Sequence, residues 1–303
     1  MRIAPADLAG VARFILSPEC QSIGILTGAG VSVASGIPDF RSAGGMYDLL
    51  RPELITANNY ERNRMQQDPT YVVSWDLFCY NQFPNLVVRR PFILGTREQT
   101  WKATFAHRFA ELLCVKTQKL TRIYTQNIDG LDRQCKKIPP EKVVSVHGSI
   151  AEISCENCEH QADFEEFCDA VKTNIKDIYK QDSKAPESST PILCTNCKQP
   201  MVKPSTVLFG RSLPSEFFER IQEDLPSMDL LIVAGTSLVV SPANRLCYSV
   251  PDKTVRVVVN REPVGVDLGL DYSVDSERDF YAQGECDDVF LELAQHLGWT
   301  DDP

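Results

Sequence analysis

Long hydrophobic runs are missing from the sequence. No segment approaches the ~18 to 20 consecutive apolar residues that a membrane-spanning helix requires, which argues against a helical membrane protein. The N-terminal segment is too mixed in polarity for a signal peptide, and it lacks the Arg-rich, acid-poor character of a transit peptide. We therefore expect an intracellular protein, nuclear or cytoplasmic, with no membrane partner.

Positive charge is also in short supply. The chain of 303 residues has 31 Lys and Arg against 41 Asp and Glu, which gives a net charge of -10. Nucleic-acid binding depends on Lys and Arg that neutralise phosphates, so no direct nucleic-acid partner is expected. An acidic surface suits small molecules or basic peptide segments instead.

A disulfide framework is missing as well. The 11 cysteines are an odd number, and their only regular spacing is two Cys-x-x-Cys pairs. In a chain without a secretory signal, such pairs indicate reduced thiols that bind a metal. Four thiolates would form a closed tetrahedral zinc site of the structural type, and four unrelated free thiols are the alternative. The residues are Cys155, Cys158, Cys194 and Cys197.

The hydrophobic residues that are present, 43% of the chain, recur in short β-branched runs with helical stretches between them. Runs that are apolar throughout are typical of strands covered on both faces, so the pattern predicts an α/β fold with a mainly parallel sheet. The runs are residues 23–26, 122–125, 143–146, 206–209, 230–233 and 255–259. Two helical stripes that we interpret as core contain Phe105, Phe109 and Leu112, and Val289, Leu293 and Leu297.

Two segments interrupt this alternation of strands and helices. Residues 45–99 are rich in polar and aromatic side chains and predict short helices and loops, and residues 151–203 contain both cysteine pairs. We expect the two segments to form a smaller domain from a helical insertion and a zinc module. The larger domain would then contain residues 1–44, 100–150 and 204–303, within one catalytic core over residues 1–303.

A glycine-rich turn follows the first apolar run. Gly28 and Gly30 flank Ala29, just before residues that can begin a helix. Glycines at this place let the backbone approach a pyrophosphate, and a helix N-terminus supplies N–H groups. The third glycine of the dinucleotide-binding pattern is replaced by Val33, so the turn alone is consistent with nucleotide binding or with a purely structural role.

A charged loop comes next. Asp39, Phe40 and Arg41 bring a carboxylate, an aromatic ring and a guanidinium within reach of the turn. A surface Asp–Arg pair beside a core Phe is the alternative, because charged loop residues are usually solvated.

Polar residues follow several of the predicted strands. The carboxyl edge of a parallel sheet is where α/β folds bind ligands, so these residues are candidates for cofactor contacts. His147 is one of them and could transfer a proton near neutral pH, although a structural histidine is the alternative. The other residues are Gln126, Asn127, Ile128, Asp129, Gly235, Thr236, Ser237, Asn260, Arg261 and Glu262.

Together these motifs resemble those of the sirtuins, the NAD-dependent protein-lysine deacylases. GAGVSVASGIPDFRS is similar to the family's first signature and YTQNIDGL to its second. VHG, CENC with CTNC, GTSL, VNRE and GECDDVFLELAQHLGW follow in the family's order, over residues 22–299. The resemblance implies a Rossmann-like parallel sheet with a smaller inserted domain, helical and zinc-ribbon, and it favours the eukaryotic deacetylase branch.

The resemblance also implies roles for single residues. His147 would be the general base, and Asn127 and Asp129 would hold the nicotinamide carboxamide while its bond to the ribose breaks. NAD would be the cofactor, with a structural Zn²⁺ held by the four cysteines. The remaining NAD contacts would come from Gly28, Ala29, Gly30, Asp39, Phe40, Arg41, Gln126, Ile128, Gly235, Thr236, Ser237, Asn260, Arg261, Glu262 and Cys286.

On the substrate side, Val207, Phe209 and Gly210 resemble the segment on which the family binds an extended acyl-lysine peptide, such as a histone tail. Arg211 stands where an acidic residue is usual, which leaves the sequence preference open. The Tyr and Arg with which some members hold acidic acyl groups have no counterpart at the required spacing, so neutral acyl groups are expected.

The reaction implied is transfer of the acyl group from lysine to the ADP-ribose of NAD, which yields nicotinamide, O-acyl-ADP-ribose and free lysine. Transfer of ADP-ribose to protein uses the same cofactor and is an alternative. Two further alternatives are a deacylase for long acyl chains and an inactive NAD-binding module.

Overall fold

The computed structural model describes residues 5–37 and 47–299. Within them, none of the helices is long and apolar enough to cross a membrane. The strands are β1 Ile23–Thr27, β2 Leu120–Thr125, β3 Val143–Ser145, β4 Gly148–Cys155, β5 Gln161–Ala162, β6 Val202–Thr206, β7 Leu230–Ala234, β8 Val255–Asn260 and β9 Asp279–Gln283. The α-helices are α1 Leu8–Leu16, α2 Asn59–Gln67, α3 Trp75–Tyr80, α4 Phe83–Arg97, α5 Phe105–Thr117, α6 Phe164–Asn174, α7 Ser215–Asp224, α8 Leu246–Ser249 and α9 Cys286–Leu297.

The larger sheet has six parallel strands in the order β3-β2-β1-β7-β8-β9. Every residue of β1 and β7 is buried, as expected of strands covered on both faces. The order reverses at β1, which pairs with β2 on one side and β7 on the other. The predicted α/β fold with a Rossmann-like parallel sheet is confirmed, and its switch point lies where such folds bind ligands.

Helices cover both faces of this sheet. Successive β1 side chains alternate between the faces, so that Ile25 belongs to one hydrophobic core and Leu26 to another. Helices α1, α5 and α9 pack on the first face, where the rings of Phe109 and Phe290 stack at 4.7 Å. Helices α7 and α8 pack on the second face. The predicted stripes of α5 and α9 both pack against the first core, and Thr104 caps the start of α5.

A third core is built around the smaller sheet, which is antiparallel with strand order β5-β4-β6. It contains apolar residues between positions 50 and 93 and between 150 and 208, which overlap the two predicted insertions, 45–99 and 151–203. Helix α6 fills part of the long interval between the cysteine pairs. The smaller inserted module is therefore present, while its exact limits stay a prediction, since β4 begins at Gly148.

One strand predicted for the parallel sheet belongs to the smaller, antiparallel sheet instead. The run 206–209 was expected in the parallel sheet, but β6 ends at Thr206 and pairs with β4 in the smaller sheet, where Thr206 faces Gly148. Beyond it, Phe209 forms an isolated bridge with Ser74. Both sheets use β-branched apolar residues, so the run itself does not identify its partner strand.

Candidate functional site

A cavity of about 620 Å³ lies at the carboxyl edge of the parallel sheet. The chain segments that line it follow β1, β2, β3, β6, β7, β8 and β9. The structure thus brings together candidates that are far apart in the sequence. Those that line the cavity are Gly28, Ala29, Gly30, Gln126, Asn127, Ile128, His147, Val207, Phe209, Gly210, Gly235, Thr236, Ser237, Asn260, Arg261, Glu262 and Cys286.

One candidate does not line the cavity, and three others are not described by the structure. Asp129 is 8% exposed and lies behind the cavity wall, where it contacts residues that line or support it. Asp39, Phe40 and Arg41 lie outside the described residues.

The backbone ladder of the sheet sets the position of the strand-end residues. Gly28 donates its N–H to the oxygen of Ala234 at 3.0 Å, and Gln126 donates to Thr27 at 2.9 Å. Gly235 likewise donates to Val259 at 3.0 Å. The parallel pairing therefore continues for one residue beyond each of these strands before the backbone turns. This aligns the turns along the carboxyl edge of the sheet.

Gly30 and Gly235 are needed where two of these turns touch. The N–H of Gly30 donates to the oxygen of Gly235 at 2.8 Å. A Cβ on Gly30 would lie 2.5 Å from the Cα of Gly235, and Gly235 has a φ of +61°. Any larger side chain would separate the turns, so the glycines serve the contact between loops as well as access for a phosphate.

The helix expected after the glycine turn is present, as a 3-10 helix over Ala29–Ser35. Val33, which replaces the third glycine, is 42% exposed and lines the cavity. A glycine is required there only when the helix packs closely on the sheet. An exposed valine removes that requirement, which accounts for the departure from the dinucleotide pattern.

Asn127 and Asp129 are held by a shared hydroxyl. Ser32 is 2% exposed and donates from Oγ to an Asp129 carboxylate oxygen at 2.7 Å. Asn127 donates from Nδ2 to the same hydroxyl at 3.1 Å and to the oxygen of Gly28 at 3.0 Å. The second oxygen of Asp129 accepts from the N–H of Leu131 at 2.9 Å. These bonds fix the amide and the carboxylate relative to the glycine turn.

A buried cluster of titratable groups stands behind Asp129. One ligand atom each of His107, Asp129 and Asp132 lies within 4.8 Å of the others, and all three residues are buried. Thr104 donates its N–H to Nδ1 of His107 at 3.2 Å, which orients the ring. Burial raises the pKa of the Asp132 carboxyl above its ordinary value.

His147 has the geometry of a base. Its Nδ1 lies 2.8 Å from the backbone oxygen of Gln126. A carbonyl oxygen only accepts hydrogen bonds, so Nδ1 carries the proton and Nε2 presents a lone pair. Nε2 is buried, and among the described residues it has no hydrogen-bond partner. Burial lowers the pKa of the imidazole below 6.5, which the bond to Gln126 partly opposes.

The expected substrate segment lies beside His147. Val207 donates its N–H to the oxygen of His147 at 2.8 Å. The backbone of Phe209 pairs within the chain on both sides, since it donates to Val73 at 3.1 Å and accepts from Trp75 at 2.9 Å. Phe209 is 45% exposed and lines the cavity, so with its backbone paired its side chain remains available to a ligand. Arg211 stacks over Trp75, with the guanidinium carbon 4.4 Å from the ring centre.

The four paired cysteines converge at one end of the smaller sheet. The Sγ atoms of Cys155 and Cys197 are 3.6 Å apart, and those of Cys158 and Cys194 are 3.7 Å apart. These separations are too long for a disulfide. A tetrahedral ion with Zn–S bonds of ~2.3 Å places its sulfurs about 3.8 Å apart. The cluster therefore fits Zn²⁺ with a complete set of thiolate ligands.

Two residues of the site escaped the sequence reasoning. Ser32 lies within the glycine-rich motif, and its hydroxyl next to that turn was the available signal. Arg89 lines the cavity from α4 although it is only 5% exposed. Two consecutive arginines in the apolar sequence VVRRPF were its signal.

Comparison with known proteins gives one family. The family model described as "Sir2 family" matches residues 28–242. The chain is 34% identical to NAD-dependent protein deacetylase hst2 of Schizosaccharomyces pombe, over 96% of this chain and 76% of that protein. It is 33% identical to NAD-dependent protein deacetylase sirtuin-2 of Danio rerio, over 96% of this chain and 72% of that protein. Identity to human NAD-dependent protein deacetylase sirtuin-1 is 34% over 93% of this chain, which spans 33% of that longer protein.

Proposed function

Since this chain belongs to the Sir2 family, we infer that it is an NAD-dependent protein deacetylase. The observation that supports this best is the cavity, in which the imidazole of His147 and the amide of Asn127 open on the same space as the glycine turn. In the overall reaction, acyl-lysine, NAD and water give lysine, nicotinamide and O-acyl-ADP-ribose.

The cavity residues fit NAD. The glycine turns offer close backbone approach, and the ends of β7 and β8 offer the hydroxyl, amide and carboxylate groups that suit phosphate and ribose. When bound, NAD would supply the ribose carbon that the acyl oxygen attacks and the ADP-ribose that accepts the acyl group. Asp39, Phe40 and Arg41 are further proposed contacts, as are the strand-end residues and Cys286, which lies at the start of α9.

Three side chains would carry the chemistry. Asn127 would hold the nicotinamide carboxamide from the cavity wall, and Asp129 would support it from behind that wall through the hydroxyl of Ser32, which both residues contact. His147 would take a proton at Nε2 from a ribose hydroxyl, because Nδ1 is committed to Gln126. With that proton on His147, the ribose hydroxyl oxygen would replace the lysine nitrogen on the acyl carbon, and the lysine amine would be released. The walls of the cavity would keep bulk water from the reacting atoms, apart from the one water that the overall reaction consumes.

We propose a supporting role for the rest of the chain. A structural Zn²⁺ on the four cysteines would stabilise the smaller domain, with the domain limits predicted from the sequence; the separate third core supports this division. Val207, Phe209 and Gly210 would contact the peptide. The proposed substrates are acyl-lysine proteins, including histone tails, and the proposed location is intracellular, nuclear or cytoplasmic.

Mass spectrometry of an acetyl-lysine peptide incubated with and without NAD tests this function. The expected products are the deacetylated peptide and O-acetyl-ADP-ribose, formed only when NAD is present. ADP-ribosylated protein in their place would indicate the transferase, and an unchanged peptide would contradict the deacetylase.

A further inference from the structure

Arg211 is a cation on the rim of the cavity. It lines the cavity next to Phe209 and Gly210, two of the expected substrate contacts, and its side chain is 49% exposed. The N–H of Arg211 donates to the oxygen of Leu208 at 3.0 Å, and Gly210 has a φ of +94°. These are the features of a tight turn, so the backbone fixes where Arg211 leaves the chain.

The indole of Trp75 holds the guanidinium of Arg211 in place. The guanidinium carbon lies 4.4 Å from the ring centre, and the N–H of Trp75 donates to the oxygen of Phe209 at 2.9 Å, which ties Trp75 to the same segment. Stacking covers a face of the guanidinium and leaves the N–H groups at its edge able to donate. Arg211 is therefore an oriented donor for a carboxylate rather than a freely moving surface side chain.

The carboxylate that Arg211 already contacts is shared. Glu156 lies 2.7 Å from Nζ of Lys203, which is fully buried, and 3.5 Å from Nη2 of Arg211. A buried ammonium needs its counter-charge more than a half-exposed guanidinium does. Within residues 47–299 no other carboxylate forms an ion pair with Arg211. The charge of Arg211 is thus only partly neutralised.

The wider surroundings of Arg211 do not supply the missing negative charge. Burial lowers the pKa of Lys203 to about 8, and the charges of Arg89 and Arg211 act in the same direction. Asp76 is a further acid in this region: burial raises the pKa of the Cys79 thiol, Asp76 adds to that shift, and Arg211 opposes it. These three cations outnumber the two nearby carboxylates, so this part of the rim has an excess of positive charge.

The expected path of the substrate peptide passes this part of the rim. Val207 donates its N–H to the oxygen of His147, and the chain then continues along the cavity to Arg211. The candidate phosphate contacts come instead from the ends of β1, β7 and β8. An extended chain advances ~3.3 Å per residue, so the four steps from Val207 to Arg211 span at most ~13 Å. Peptide residues within about four positions of an acyl-lysine at His147 would therefore come close to Arg211.

The charge of the whole chain acts in the opposite direction. A net charge of -10 attracts basic peptides at long range. Screening weakens that attraction beyond ~8 Å at ~0.15 M ionic strength, whereas a contact with Arg211 is made at short range. A preference for acidic peptides would therefore report the rim and not the overall charge.

We propose that Arg211 selects acyl-lysine peptides that have an acidic residue close to the lysine, through an ion pair between its guanidinium and that carboxylate at the cavity rim. The proposal rests on the proposed function and addresses the sequence preference that the sequence left open. The acyl transfer is unchanged, because Arg211 acts on peptide binding. Strongly basic segments would then be poorer substrates than acidic segments of the same length.

Three acetyl-lysine peptides test this proposal. They differ only at four positions, two on each side of the lysine, which are all Glu, all Gln or all Lys. Gln has nearly the shape of Glu without its charge, so the ratio of kcat/KM for the Glu peptide to that for the Gln peptide isolates the charge. An oriented ion pair at a partly exposed site predicts a ratio of about fivefold in wild type. The Lys peptide should be the slowest.

The same ratio is to be measured with Arg211→Gln, Arg211→Glu and Arg220→Gln. Arg220 lies on α7 and does not line the cavity, so its variant makes the same change in net charge away from the rim. The ratio should fall to about one in Arg211→Gln and below one in Arg211→Glu, and it should persist in Arg220→Gln. The Gln peptide should have the same kcat/KM in wild type and Arg211→Gln, which serves as the control for folding and acyl transfer.

Two further readouts separate binding from a structural role. The loss in Arg211→Gln should appear in KM for the Glu peptide, with kcat little changed. The wild-type ratio should also shrink in ~0.5 M NaCl, because a partly exposed ion pair is screened by salt. If Arg211→Gln slows all three peptides by the same factor, Arg211 only supports the segment and the proposal is wrong.

A wild-type ratio of one or less, together with turnover of the Gln peptide, overturns this proposal alone. A ratio that persists in Arg211→Gln, or that falls equally in Arg220→Gln, also overturns it, because Arg211 would then not be the group that recognises the charge. If wild type acts on none of the three peptides, the proposed function fails together with the proposal.

Discussion

His147 and Gln126 are joined by a hydrogen bond of 2.8 Å between the ring Nδ1 and the backbone oxygen. Gln126 stands at the end of β2 and also contacts Thr236, to whose hydroxyl it donates from Nε2 at 3.0 Å. One residue thus fixes the tautomer of the base and links two turns that line the cavity. The orientation of the His147 ring therefore depends on the backbone position of Gln126 at the carboxyl edge of the parallel sheet.

The first prediction concerns pH. Burial lowers the pKa of His147 below 6.5 in the folded chain. A general base must be neutral, so activity is retained above that pKa and lost as the pH falls through it. The acid limb of kcat/KM, which reports the free enzyme, should have a midpoint below 6.5. His296→Gln removes an exposed histidine of α9 and should leave the limb in place. A midpoint above 6.5 would contradict the assignment.

The second prediction concerns Ser32. Ser32→Ala removes the hydroxyl that Asp129 accepts from and Asn127 donates to. A buried polar group that loses such a partner costs ~1 to 3 kcal/mol, so kcat/KM should fall about 5- to 150-fold. Ser35→Ala is the matched control, since its hydroxyl donates only to the local oxygen of Ser32. Equal activity of the two variants in the peptide assay would show that the shared hydroxyl does not position the pair.

The third prediction concerns the metal. Purified protein should contain about one zinc per chain, held by the four cysteines. Cys155→Ser should lose the zinc and lower the melting temperature, because binding of a structural zinc contributes to folding. Cys79→Ser changes an exposed cysteine outside the cluster and should do neither. Folded, active protein without zinc by metal analysis would rule out the structural site.

The sequence was informative where local pattern and topology agree. The buried run of β1 and the helical stripes of α5 and α9 follow from side-chain periodicity alone. Parallel pairing then brings polar strand ends to one edge, which is why His147 and Asn127 could be predicted to lie in one site, and both line the same cavity. The spacing of the cysteines likewise indicated their convergence.

The sequence was uninformative where the role of a residue depends on a contact with a residue distant in the sequence. The run ending at Phe209 has strand composition in either sheet, and only the pairing of Thr206 with Gly148 assigns it. In the sequence, Arg89 and Arg90 are equivalent neighbours. Only the structure shows that Asp182 pairs with Arg90 and not with Arg89. The requirement for Gly30 also comes from a distant residue, Gly235, which no local motif contains.

The most direct test of the account is the NAD-dependent deacetylation rate of an acetyl-lysine peptide, measured with wild type and His147→Ala. Circular dichroism and NAD-binding calorimetry on both proteins serve as controls for folding. We expect deacetylation by wild type only with NAD, and a loss of at least about 100-fold in the variant, as for removal of a general base. Equal rates in the two proteins, or deacetylation without NAD, would contradict the account.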